Sequence, residues 1–161
     1  MTRYAVLVGE INRDLADLER LVEQTQALMS KVQSTGDEDY LGTVALNLHG
    51  FYAGVERIFR DVALTVDGSL PDGADWHRRL LRQMAAVVPE IRPAVVSSTT
   101  LQKLNELCAF RHVVRNVYTF DLIPNRIEAL AHELPKCLTH LQVDLQRLCE
   151  FLMTVNGAVQ A

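Results

Sequence analysis

The pattern that most restricts this chain is a pair of long apolar seams, one towards each end. Tyr4, Val8, Ile11, Leu15, Leu18, Val22, Thr25, Met29 and Val32 alternate by four and three without a break. Ile127, Leu130, Leu134, Leu138, Leu141, Leu145, Leu148, Leu152 and Val155 follow the same threes and fours towards the C-terminus. Such a repeat keeps every member on one face of an α-helix, and a helix with one apolar face must bury it against other elements. A strand alternates by two and can carry neither seam. Pro135 interrupts the second seam and predicts a kink, because proline has no N–H to donate and crowds the carbonyl of Ala131.

Three shorter helical patterns lie between the seams. Ser34-Thr35-Gly36 stops the first helix, which spans about Thr2 to Gln33, and Asp37 opens the second with acidic residues suited to a helix N-terminus. The second, from about Glu38 to Val66, has the stripe Leu41, Val44, Leu48, Tyr52, Val55, Phe59 and Val62, widened by Phe51 and Ile58. Gly50 and Gly54 beside those aromatics allow a neighbouring helix to come close. After the loop Asp67–Gly73, a third helix over Asp75–Val87 carries Trp76, Leu80, Leu81 and Met84, with Arg78, Arg79 and Arg82 on a side that reads as a solvated face or, functionally, as a basic flank that steers a polyanion. Pro89 and Pro93 predict an extended connection over Val88–Ser98. Thr99 with Gln102 fits a capping box for a fourth helix ending near Phe120, and Asn125 is a candidate cap for the last. The expected fold is all-α, an antiparallel up-and-down bundle of about five helices in a single domain over residues 1–161.

Composition narrows the function classes. The net charge of −4 argues against a chain that grips nucleic acid through its overall field, so any RNA contact needs a local basic patch. Cys108, Cys137 and Cys149 are odd in number and far apart, which predicts reduced core thiols, not a disulfide framework or zinc site. The N-terminus is apolar for only a few residues before charges return, and no segment has the roughly 18 apolar residues of a membrane span. A cytoplasmic protein with no membrane association is expected. His49, His77, His132 and His140 sit on separate patterns without ligand spacing, so no metal or cofactor is expected, and His77 beside Trp76 reads as structural.

One stretch departs from a plain bundle. On the fourth helix Leu101, Leu104 and Cys108 form a stripe that, continued at about 100° per residue, next receives Arg111, His112, Arg115 and Asn116. Guanidiniums are rarely put on a core-directed face without partners, because an unpaired buried charge is costly. Arg111 and Arg115 lie on adjacent turns with Tyr118 near the same face, and His112 and Asn116 form a second i,i+4 pair. Two guanidiniums can hold a phosphate, and an imidazole can move protons near neutral pH. That is the minimal equipment for metal-free RNA cleavage by the RNA's own 2′-hydroxyl. The competing reading is structural, with Arg111 and Arg115 paired to acids such as Glu106, Asp121 or Glu128, or across a dimer seam.

Arg111-His112-Val113-Val114-Arg115-Asn116-Val117-Tyr118 resembles the signature of HEPN-domain proteins, in particular the HepT-like ribonuclease toxins. The family motif is Arg, four residues, His, one residue, Tyr, with a polar residue directly after the Arg. Arg111, His112 and Tyr118 match it, and Asn116 stands where the family has its His. The stretches 48–59 and 75–81 are also similar to those of one HepT-like subgroup, and the likeness spans about Tyr40 to Ala131. The resemblance implies an all-α homodimer whose two motifs meet in a cleft to form a metal-independent ribonuclease site. It further implies a nucleotidyltransferase antitoxin as partner, with RNA as transient substrate and Tyr118 as a candidate for adenylylation. An amide cannot transfer a proton, so at Asn116 a role worth roughly 10²–10⁴-fold is lost. Either His112 takes it over while Arg111 and Arg115 hold the phosphate, or the protein is a catalytically inactive dimer that binds nucleotide, RNA or its partner.

Overall fold

The computed structural model describes residues 2–116 and 123–160, with side chains for 2–111 and 123–158. In chain order these form α1 (Thr2–Thr35), α2 (Tyr40–Val62), a π-helical turn (Ala63–Asp67), α3 (Trp76–Ala85), α4 (Ser98–Asn116) and α5 (Pro124–Gln160). The protein is an all-α antiparallel bundle, and among the described residues the only extended pairing is an isolated bridge between Val88 and Arg92. None of these helices is long and apolar enough to cross a membrane.

The core is built around α2, which packs on each of the other helices. All nine apolar residues expected on its stripe are buried, from Leu41 to Val62. The close approach expected at its glycines is made by α1. A Cβ built on Gly54 lies 2.7 Å from Leu18 Cδ2, whereas one on Gly50 lies 3.7 Å from Leu21 Cδ2. On α1 the seam holds from Leu18 onward, but before it Leu7 and Asp14 are buried, with Ile11, where Tyr4, Val8 and Leu15 are only half-buried. A strict 3.5-residue repeat drifts by about 20° per heptad on a straight helix, which moves the buried face by a residue at the far end. Helix α5 runs on through Pro135. The Ala131 carbonyl, which proline cannot serve, accepts instead from Gln26 Nε2 of α1 at 2.9 Å.

Three local features differ from the expectation. The chain after α3 is not extended. Val88 N–H donates to the Arg92 carbonyl, and the Ile91 and Arg92 N–H groups donate back to the Val88 carbonyl, each at 3.0 Å. This turn holds Glu90 at φ 65° and sends Arg92 inward. There its Nε and Nη2 grip both oxygens of Asp67 at 2.6 and 2.7 Å, and the remaining N–H groups donate to the carbonyls of Gln83, Ala86 and Pro93 at 2.9–3.0 Å. A buried guanidinium needs every donor satisfied, and folding the connection back on itself supplies the carbonyls. Second, α4 is capped by Ser97 rather than Thr99. Ser97 Oγ accepts the Thr100 N–H at 3.3 Å, and the buried carboxylate of Asp144 on α5 accepts from Ser97 N–H at 3.0 Å and Thr100 Oγ1 at 2.6 Å. At α5, Pro124 is the first helical residue and Ile123 takes the cap position expected of Asn125, its carbonyl accepting from the N–H groups of Arg126 and Ile127. Proline suits that first position because its missing N–H has no intrahelical partner there.

Candidate functional site

The buried stripe of α4 is Thr100, Leu104, Leu107 and Phe110, while Leu101 and Cys108 lie at its margin. The face leading to Arg111 is therefore not core-directed, as the spacing suggested, but the edge of the packed surface. Phe110 takes the core position beside it, with the Arg126 guanidinium 5.7 Å from its ring centre. Arg111 is half-buried and reaches water, which removes the cost of an unpaired buried charge.

Arg111 opens onto a cleft of about 370 Å³ between the start of α3 and the second half of α4. Asp75, His77 and Arg78 line it from one side, Cys108, Ala109 and Arg111 from the other. Among the described residues Arg111 makes no ion pair, and Glu106 and Glu128, two acids that a structural pairing would have used, leave it alone. Two guanidiniums facing one open cleft form a local basic site on an acidic protein, opposed there by the Asp75 carboxyl. A second cleft, of about 400 Å³ between α1 and α5, is lined by Gln26, Gln33, Glu38, Glu128 and His132 and has no guanidinium. Its acids disfavour a polyanion.

Of the candidate site residues Arg111, His112, Arg115, Asn116 and Tyr118, only Arg111 has a described side chain. The backbone of α4 continues through His112, Arg115 and Asn116, whose side chains lie outside the described residues, as do Asp121 and Tyr118 altogether. No group of three His, Cys, Asp or Glu is placed to hold a metal ion among the described residues.

The structure adds residues that the sequence reading passed over. His77, taken as structural, lines the same cleft as Arg111. Its ring stacks on Trp76 with centroids 3.6 Å apart, and the Arg60 guanidinium sits 5.4 Å from the Trp76 ring centre. Its Nδ1 lies 2.5 Å from Oε2 of Glu56, a carboxylate buried in the α2 stripe. A carboxylate only accepts, so Nδ1 carries a proton, and in the neutral ring Nε2 is the nitrogen with the lone pair. Behind them the buried Tyr52 Oη has no hydrogen-bond partner in good geometry, and burial, with Cys108 and Glu56 nearby, pushes its phenol far above its ordinary value. The missed signal was Glu56 itself, an acid set among Tyr52, Val55 and Phe59, because a buried carboxylate demands a partner.

The chain matches the family described as HepT-like protein over residues 43–152. No curated protein and no solved structure shows a significant match to it. That span takes in nearly all of the buried stripe of α2, all of α3 and α4 with their cleft, and most of α5, so this chain belongs to the HepT-like protein family.

Proposed function

We propose that this protein is the toxin of a toxin–antitoxin pair, a metal-independent endoribonuclease that works as a homodimer at the Arg111 cleft. In this reading a nucleotidyltransferase-type antitoxin restrains it. The observation that carries the reading is Arg111 itself, at an open cleft beside Arg78 and without an acidic partner among the described residues. Arg111 and Arg115 hold the scissile phosphate and stabilise the charge that builds on it as the bridging bond breaks. Asn116 cannot exchange a proton, so that role falls to an imidazole, for which His112 is the candidate within the motif. Tyr118 is the residue whose adenylylation would block the site. A single chain 1–161 folding as one domain is part of the same proposal.

Asn116 also favours a second reading, a catalytically inactive dimer that binds nucleotide, RNA or its partner. The two separate on cleavage of a mixed tRNA and mRNA pool by purified protein in EDTA. Arg111→Ala is expected to lower the rate by about 10²–10³-fold, the usual loss when a donor to developing charge is removed. His112→Ala is compared in parallel, as is Asn116→His, which restores the family residue. An inert wild type with an active Asn116→His variant supports the binding module. Silence from all of them removes the enzyme reading.

A further inference from the structure

The Arg111 cleft contains an imidazole already set up for proton transfer, and it is not the one in the motif. Four observations meet at His77. It lines the cleft with Arg111 and Arg78. Its Nδ1 is held at 2.5 Å by Glu56, whose side chain is 9% exposed and comes from a different helix. Its ring is laid against Trp76. Among the described residues Nε2 has no hydrogen-bond partner, which leaves that lone pair for a ligand in the cleft. A carboxylate that fixes one ring nitrogen, and so sets the tautomer and direction of the other, is how an imidazole is prepared as a general base. His77 also lines a cleft that holds two guanidiniums, where a free ring nitrogen and an anion can meet.

We infer that His77 is the general base of this site and Glu56 its positioning residue, with an RNA phosphodiester as substrate. The inference rests on the ribonuclease reading above and moves the proton-transfer role from His112 to His77. Nε2 takes the proton from the 2′-hydroxyl as O2′ attacks phosphorus. The O2′–P bond forms, the P–O5′ bond breaks, and O5′ leaves with a proton taken from water. The products are a 2′,3′-cyclic phosphate and a 5′-hydroxyl. The imidazolium returns its proton to the hydroxide so formed, which leaves His77 as it began. Arg111 and Arg78 carry the phosphate charge through the step.

The test measures cleavage of the tRNA and mRNA pool in EDTA by wild type, His77→Gln, His77→Ala, Glu56→Gln, the Glu56→Gln/His77→Gln double variant, His112→Ala and Arg111→Ala. His77→Gln is expected to lose about 10²–10⁴-fold in kcat, and added imidazole to restore part of the rate to His77→Ala. Glu56→Gln is expected to lower kcat with KM unchanged in wild type, and to change nothing further in the His77→Gln background, as a group acting only through His77 must. Thermal melts identify any variant that has lost its fold. If His77→Ala is one of these, Glu56→Gln and His77→Gln still decide the matter. His77 variants that keep the wild-type rate while Arg111→Ala is dead overturn the inference and leave the ribonuclease reading standing. A wild type that cleaves nothing overturns both.

Discussion

Arg92 and Arg111 are the same side chain in opposite situations. The Arg92 side chain is 0% exposed, and all five of its N–H donors are engaged, two by Asp67 and three by carbonyls. Arg111 stands half-buried at a cleft with no ion pair among the described residues. The first guanidinium has nothing left to offer a ligand and is part of the fold, tying the end of the π-helical turn to the connection after α3. Among the described residues, no acid pairs with the second, which lines an open cleft instead. Reading a site off an arginine therefore depends less on its burial than on whether its donors are already spoken for.

The largest expected effect tests that contrast directly. Arg92→Ala leaves Asp67 buried without its partner and is expected to lower unfolding stability by about 3–5 kcal/mol in urea titrations, a large share of a typical domain's total of about 5–15 kcal/mol. Arg111→Ala, under the same conditions, is expected to stay within about 0.5 kcal/mol of wild type. Equal losses from the two variants would mean that Arg111 is structural as well.

The next effect concerns the two ends of α4, of which one is anchored and the other bears the cleft. At the anchored end, burial alone would raise the Asp144 carboxyl. Hydrogen bonds from Thr100, Ser97 and Arg147 outweigh it and hold the group below its ordinary value of 3.8. A carboxyl depressed in the folded state stabilises above that ordinary value, and the stabilisation is lost as pH falls through the folded value. Asp144→Asn is expected to cost about 1–3 kcal/mol at neutral pH. Its difference from wild type should shrink as unfolding is measured at progressively more acid pH. A difference that is flat with pH would show that the carboxylate charge does not hold this end.

The smallest effect asks whether packing draws as sharp a distinction as charge does. Replacing an exposed helical glycine by alanine gains roughly 0.5–1 kcal/mol, which is the expectation for Gly50→Ala. At Gly54 the new methyl meets Leu18 at 2.7 Å, and displacing a packed side chain costs about 1–3 kcal/mol. Gly54→Ala should therefore melt below Gly50→Ala, and matching melting temperatures would mean that Leu18 yields freely.

What was legible in the sequence was what repeats. The stripe on α2 and the long helices at both ends follow from periodicity, since each burial is reported by several residues at once. Single tertiary contacts leave no such trace. Arg92 looks like any surface arginine until Asp67, Gln83 and Ala86 are brought around it, and the cap of α4 depends on Asp144 from another helix. At the candidate site the sequence marked Arg111 as unusual but assigned it to a core-directed face, because Leu101 and Cys108 share helical spacing with the core residue Leu104, although they lie at the margin. His77 read as merely structural because its partner Glu56 lies 21 residues away on another helix.

Seams as regular as those of α1 and α5 carry an ambiguity. Slid by seven residues, one such helix meets nearly the same apolar surface, so the seams alone do not say which alignment is right. The carbonyl left bare by Pro135 resolves it. Only one axial setting brings Gln26 to Ala131, and any other leaves a peptide oxygen dry between two helices. An irregularity that weakens α5 as a helix thus works as a vernier mark, fixing α1 along its length.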